Sequence, residues 1–215
     1  MSMMLLKILL EVIFLSIVFL HITRKNYDAA VAYGVQSLAV VLVIVNAYLQ
    51  NHDILLILIA LLTLIIKVIL APLFFTRLIK KHALNISVNT YLNISATLIM
   101  IVVLSAIAHS SKLAPITTLI PENQTLLALS LSAMLLSLFL IVNRQGAFSQ
   151  IIGILSFENS IVAFTLLSGL EQSTALQFGI IFDIIIWIII ATTFISMLYK
   201  HFGTLNVTTI KNLKD

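Results

Sequence analysis

The sequence predicts an all-α protein, a polytopic membrane bundle of about seven transmembrane helices with its N-terminus outside and its C-terminus in the cytoplasm. Three observations predict it. Hydrophobic residues make up 61% of the chain and charged residues 9%, which leaves too few polar groups to cover a water-soluble surface. The apolar residues gather in runs of helix length, and none alternates with a period of two, so a β-barrel is excluded. Lys and Arg concentrate at alternate ends of those runs, as they do in the cytoplasmic loops of membrane proteins.

The runs fall at 4–22, 28–49, 54–79, 90–109, 125–142, 148–169 and 174–199, each close to the roughly 20 apolar residues needed to cross hydrocarbon. The first, with Lys7 ahead of its apolar stretch, resembles a secretory signal. It ends in His21, Thr23, Arg24 and Lys25 with no small-residue cleavage site, so it is read as a retained helix. The third carries Pro72, which cannot donate to the carbonyl of Val68 four residues earlier. A kinked, locally hydrated half-helix is expected from Lys67 to Arg77, tolerated at depth only beside protein or water. The longest loops are Lys80 to Asn89 and Ser110 to Asn123; in the second, Pro115 and Pro121 argue against a regular helix.

Arg24 and Lys25, then Arg77, Lys80 and Lys81, then Arg144, then Lys200, Lys211 and Lys214 all fall on one predicted side, with only Lys7 and Lys112 among the basic residues opposite. The net charge of +4 therefore reads as membrane orientation and not as a nucleic-acid surface, because the basic residues form no continuous face. With no cysteine in the chain, disulfides, thiolate nucleophiles, iron–sulfur ligation and cysteine zinc sites are excluded. His21, His52, His82, His109 and His201 sit at or near predicted helix ends, where anchoring at the membrane interface explains them better than a haem or metal site. Asn143, Arg144 and Gln145 read as a polar cap and a topology signal. No cofactor and no metal is expected, and no sizeable extramembrane domain is available for soluble catalysis.

Four ionisable residues lie well within the spans: Glu11 in the first, Lys67 in the third, Glu158 in the sixth and Asp183 in the seventh. Insertion of such a residue at a helix centre costs about 2.5–3.5 kcal/mol, so each is expected to face the bundle interior, a partner or water. Lys67 lies ten residues before Arg77, about 15 Å from the rim, which is farther than its side chain reaches. Glu158 and Asp183, on consecutive antiparallel helices, are expected at similar depth. Desolvation disfavours charge on such groups and prepares them for proton exchange. A line of Lys67, Glu158 and Asp183 would then carry protons. A single structural ion pair, with the other groups acting as neutral packing residues, is the alternative. Glu11 is read either as facing the path or as part of a helix interface with a partner subunit.

The stretch IIGILSFENSIVAF, Ile151 to Phe164, resembles the second helix of the three-helix K subunit of complex I and of the C subunit of multisubunit sodium/proton antiporters, with Glu158 as the embedded glutamate and Asn159 beside it. Asp183 stands where the second embedded acid falls, on a shorter arm than the usual glutamate, and the tail LNVTTIKNLKD, Leu205 to Asp215, is similar to that family's tail. Across its whole length the chain resembles component E of hydrogenase-4. Glu158-Asn159 is similar to that family's ENG sequence with Ser160 in place of glycine, and KVILAPLFFTRLIKK, Lys67 to Lys81, is similar to its third helix. The resemblance implies a four-helix part over 1–123 and a K-like three-helix part over 124–215. It further implies a non-catalytic inner-membrane subunit in the membrane arm of an ion-pumping complex. Its partners would be antiporter-like membrane subunits and a redox module of hydrogenase type, and its cargo protons, or sodium ions. Proton transfer would fall to Lys67, Glu158, Asp183 and Glu11, supported by Pro72 and Asn159. A self-contained transporter fits less well, since the odd span count comes with no visible internal repeat.

Overall fold

A computed structural model describes residues 3–81, 90–117 and 123–168, with 189, 193 and 196 as isolated positions. In chain order they form α1 (Met3–Ile22), α2 (Asn26–Asn51), α3 (Ile54–Thr63), a π-helical segment (Leu64–Leu70), α4 (Ala71–Lys81), α5 (Ile94–Ala108), a single turn α6 (Ala114–Thr117), α7 (Gln124–Asn143) and α8 (Ala147–Leu167). No strand occurs among them, only isolated bridge positions such as the antiparallel pair Thr90 and Arg144. The α3, π and α4 pieces run end to end as one rod, so the first six apolar runs each coincide with a helix. The seventh, at 174–199, lies outside the described residues.

Five of these helices, counting the rod as one, are long and apolar enough to cross a membrane. The fourth run is shorter than expected. Its helix α5 has 15 residues and spans about 22 Å, less than a hydrocarbon core of roughly 30 Å. The chain then breaks into turns and α6, where Pro115 occupies the first helical turn. Contrary to the expectation that Pro115 rules out helix, one turn forms here: at that position the missing proline N–H costs nothing, because the first N–H groups of any helix lack an internal partner.

Helix α2 is the centre of the bundle and packs against α1, α8, α3, the π segment and α4, while α7 packs against α8, α1 and α5. Close approach depends on two glycines. A Cβ on Gly153 of α8 would lie 2.8 Å from Ile141 Cγ1 and 3.3 Å from the Ile141 backbone nitrogen, and one on Gly34 of α2 would lie 3.2 Å from Pro72 Cγ. Small residues are the usual means by which helices approach in lipid, where no hydrophobic force drives them together. Between α2 and α3 the chain turns tightly. His52 ends α2 in the left-handed region at φ 54°, and Asp53 caps α3 by accepting from Leu55 N–H at 2.9 Å.

One end of the bundle is fastened by Asn143 and Arg144, at the turn between α7 and α8. The Arg144 guanidinium donates to the carbonyls of Leu20 and His21 in the last turn of α1, where carbonyls have no partner within their own helix, and of Thr23 just beyond it. Asn143 accepts from Leu92 N–H at 2.9 Å and donates to Thr97 Oγ1 at 3.2 Å, which holds the start of α5 to the same end. Both side chains are buried, so the polar cap expected at this turn serves other helices and not its own. Burial pushes the Arg144 guanidinium down to about 10, with Arg24 adding to the effect, and it stays charged at neutral pH. His21 is also buried: it hydrogen-bonds Leu136 O at 3.0 Å and stacks on Phe139 at 4.9 Å. Packing between α1 and α7, and not anchoring at the membrane interface as expected for a helix-end histidine, explains it.

Replacing Arg144 with Gln should lower stability by about 2–3 kcal/mol, because several charge-assisted bonds to buried carbonyls are lost. Arg144→Lys should recover only part of this, since one ammonium cannot span the fork of acceptors. Denaturant unfolding of the purified protein in detergent measures both.

Candidate functional site

The chemistry gathers where the rod, α2 and α8 meet. Lys67 lies thirteen residues after Ile54 and fourteen before Lys81 on the rod, and Glu158 eleven after Ala147 and nine before Leu167 on α8. Both are therefore near the middle of their spans. Lys67 is 1% exposed and Glu158 18%, with Lys67 Nζ 3.3 Å from Glu158 Oε1. The same ammonium donates to Asn159 Oδ1 at 2.9 Å. Two consecutive residues of a helix point about 100° apart, so the lysine enters between them and is held by a carboxylate on one side and an amide on the other. Asn159 in turn donates through Nδ2 to Ser37 Oγ on α2 at 3.0 Å. Its amide is thus oriented at both ends, oxygen to the cation and nitrogen to the hydroxyl.

The rod places Lys67 through an irregularity of the backbone. Over Leu64–Leu70 the ladder widens to the π register, and the Ala71 N–H donates to Ile66 O five residues back. In that register the carbonyl of Lys67 would be served by the nitrogen of residue 72, which is proline and carries no hydrogen. On α-helical spacing the carbonyl left without a donor is that of Val68. On π spacing the same missing N–H faces the carbonyl of Lys67 as well. Pro72 packs on Gly34, which lets the irregular stretch come up against α2.

Tyr33, Gln36 and Ser37 on α2 complete the site, and none of the three was singled out in the sequence. All are fully buried. The Gln36 amide donates to Ser156 O at 3.3 Å. The Tyr33 hydroxyl lies beside Ser37 and within electrostatic reach of Glu158, without a well-formed hydrogen bond. Tyr33 Oη, Gln36 Oε1 and Ser156 Oγ are buried polar atoms with no partner among the described residues. Groups of this kind are commonly served by ordered water in membrane and soluble proteins alike. Their spacing, one apart and one turn apart on an otherwise apolar helix, was the available signal. Below them an aromatic column packs Tyr33 on Phe75 at 6.1 Å and Phe75 on Phe148 at 5.3 Å.

The structure thus brings together Lys67, Glu158 and Asn159, with Pro72 supporting the lysine's segment. Glu11 is not part of this group; it is exposed on α1, and no ion pair or hydrogen bond links it to the others among the described residues. Asp183 lies outside the described residues, as do His82 and His201. His52 and His109 are exposed at helix ends, and among the described residues no group of three or more His, Asp or Glu is placed to hold a metal ion. No protein-family model matches the chain, and neither the curated proteins nor the solved structures yield a match.

Chemically, an amine and a carboxylate at 3.3 Å can pass one proton between them without changing net charge. A proton that reaches Glu158 from elsewhere breaks the pair and leaves an ammonium held by Asn159 alone. The pair thus sits in a medium that penalises any uncompensated charge.

Proposed function

We propose that the chain is a non-catalytic membrane-arm subunit of an ion-translocating complex of the hydrogenase or complex I type, in which Lys67 and Glu158 take part in proton transfer. The observation that carries the proposal is the pair itself. A fully buried lysine lies against a carboxylate at mid-span, where charge is costly and such groups usually serve transport. Three unpartnered polar atoms nearby offer positions at which water could extend the line. The resemblance to component E of hydrogenase-4 supplies the kind of complex, with antiporter-like subunits and a redox module as neighbours and Asp183 as the next acid. Protons are the proposed cargo, with sodium ions the competing one.

In the assembled complex, Glu158→Gln should lower proton translocation per redox turnover at least several-fold in inverted vesicles, while the subunits remain associated. Unchanged coupling removes Glu158 from the path.

A second reading, as a docking subunit without a path of its own, draws on the same network, which ties α2, the rod and α8 together through Lys67, Asn159 and Ser37. That reading gains if Glu158→Gln and Lys67→Met each dissolve the complex before transport can be measured.

The proposed placement is in the inner membrane, with seven spans and the N-terminus outside. Arg144 and Asn143 hold the end of α1 and the start of α5 at one end of the bundle, the end that also carries Arg24 and Lys25, consistent with a cytoplasmic face. The absence of cysteine makes this simple to test. In whole cells, Lys112→Cys should react with a membrane-impermeant thiol reagent and Lys25→Cys should react only after the membrane is opened; the reverse pattern inverts the topology.

A further inference from the structure

The exposed face of α1 carries a carboxylate that the bundle leaves unused. Glu11 lies eight residues after Met3 and eleven before Ile22, about 12 Å and 16 Å from the helix ends. It is exposed and makes no ion pair or hydrogen bond among the described residues. Around it, Met4, Ile8, Leu15 and Phe19 are exposed on the same stripe, at spacings of three and four that follow one side of a helix. The stripe opens into a groove of about 490 Å³ between α1 and α2, lined mainly by apolar residues such as Val12, Leu15, Phe19 and Val35, with Tyr27 and the carboxylate of Asp28 also in its wall. Leu15 and Phe19 belong to both, so the carboxylate, the stripe and the groove form one continuous surface.

We infer that this surface docks a transmembrane helix of another subunit that carries a lysine or arginine at the depth of Glu11. The inference rests on the proposed membership of a membrane complex and adds the place and chemistry of one contact. Lipid tails fill an apolar groove but give nothing to a carboxylate at mid-span. Lys7, one turn away on the same helix, lies about 6 Å from the helix start, close enough for its chain to reach the aqueous rim. A second copy fits poorly. Two copies inserted in the same direction and related by a two-fold axis bring equal residues to equal depth, so Glu11 would meet Glu11. A basic residue on a different helix neutralises the acid, while an apolar ridge enters the groove.

The test uses the cysteine-free chain in its native complex. Leu15→Cys and Val35→Cys, each carrying a thiol-linked photoreactive group, should crosslink in the membrane to one segment of a different subunit that contains Lys or Arg. Val102→Cys on the exposed side of α5 sets the lipid background. Adding Glu11→Ala should lower the crosslink yield at least fivefold, and so should replacing the basic residue found opposite it with Met. The melting temperature of the purified Glu11→Ala chain should match the parent, since Glu11 makes no ion pair or hydrogen bond among the described residues. Crosslinks only to lipid, crosslinks only to a second copy, or a yield indifferent to Glu11→Ala would each overturn the inference. The crosslinks should persist in Glu158→Gln, so loss of the relay reading and loss of this contact are read independently.

Discussion

A lysine ammonium enclosed at the middle of an apolar bundle needs an opposite charge and a full set of acceptors, and the centre of this structure is arranged around that need. Lys67 receives the charge from Glu158 and a neutral acceptor from Asn159, both on α8, and Asn159 is itself held by Ser37 on α2. Three elements distant in sequence are therefore committed to one another by polar contacts that lipid cannot replace. Apolar packing alone would not choose this arrangement, since hydrocarbon is as good a neighbour for leucine as another helix is. The polar contacts select which faces meet, and packing then fills in around them.

The same region departs most from regular helix. The π segment, Pro72 and Gly34 occur together, and each makes sense of the others: the proline removes a donor next to the widened turn that carries Lys67, and the glycine lets α2 close over the irregular stretch. Irregular backbone at bilayer depth persists where protein or water meets its polar groups. Here α2 packs directly on the irregular stretch, with Pro72 against Gly34, and buried polar atoms of Tyr33 and Gln36 lie on the same helix.

Much of this was legible in the sequence, for physical reasons that also explain what was not. Lys67 and Glu158 stand out because a charge in an apolar run has few tolerable positions, and the run lengths give the helices directly. Asn159 was reached only through the resemblance to component E of hydrogenase-4, as an uncharged polar residue in a span is unremarkable. Tyr33, Gln36 and Ser37 went unnoticed for that reason, although their spacing puts them on one side of α2. The π register was not readable, since an ordinary α spacing around Pro72 is equally compatible with the residues present. Arg144 looked like a loop charge and proved to be a buried clamp, because its partners are backbone carbonyls of α1, which leave no trace in side-chain pattern. Glu11 was recognised as costly, but its side of the helix depends on how α1 packs against α2 and α7.

The central claim is that Lys67 and Glu158 compensate each other's charge within the bundle, and a double-substitution cycle tests it most directly. Unfolding in detergent should show Lys67→Met and Glu158→Leu each costing about 3–5 kcal/mol, because each strands a charge in the interior. The combined variant should be clearly more stable than the sum of the two losses predicts. Additive losses would mean that the two side chains do not share their charge, and the account built on the pair would fail.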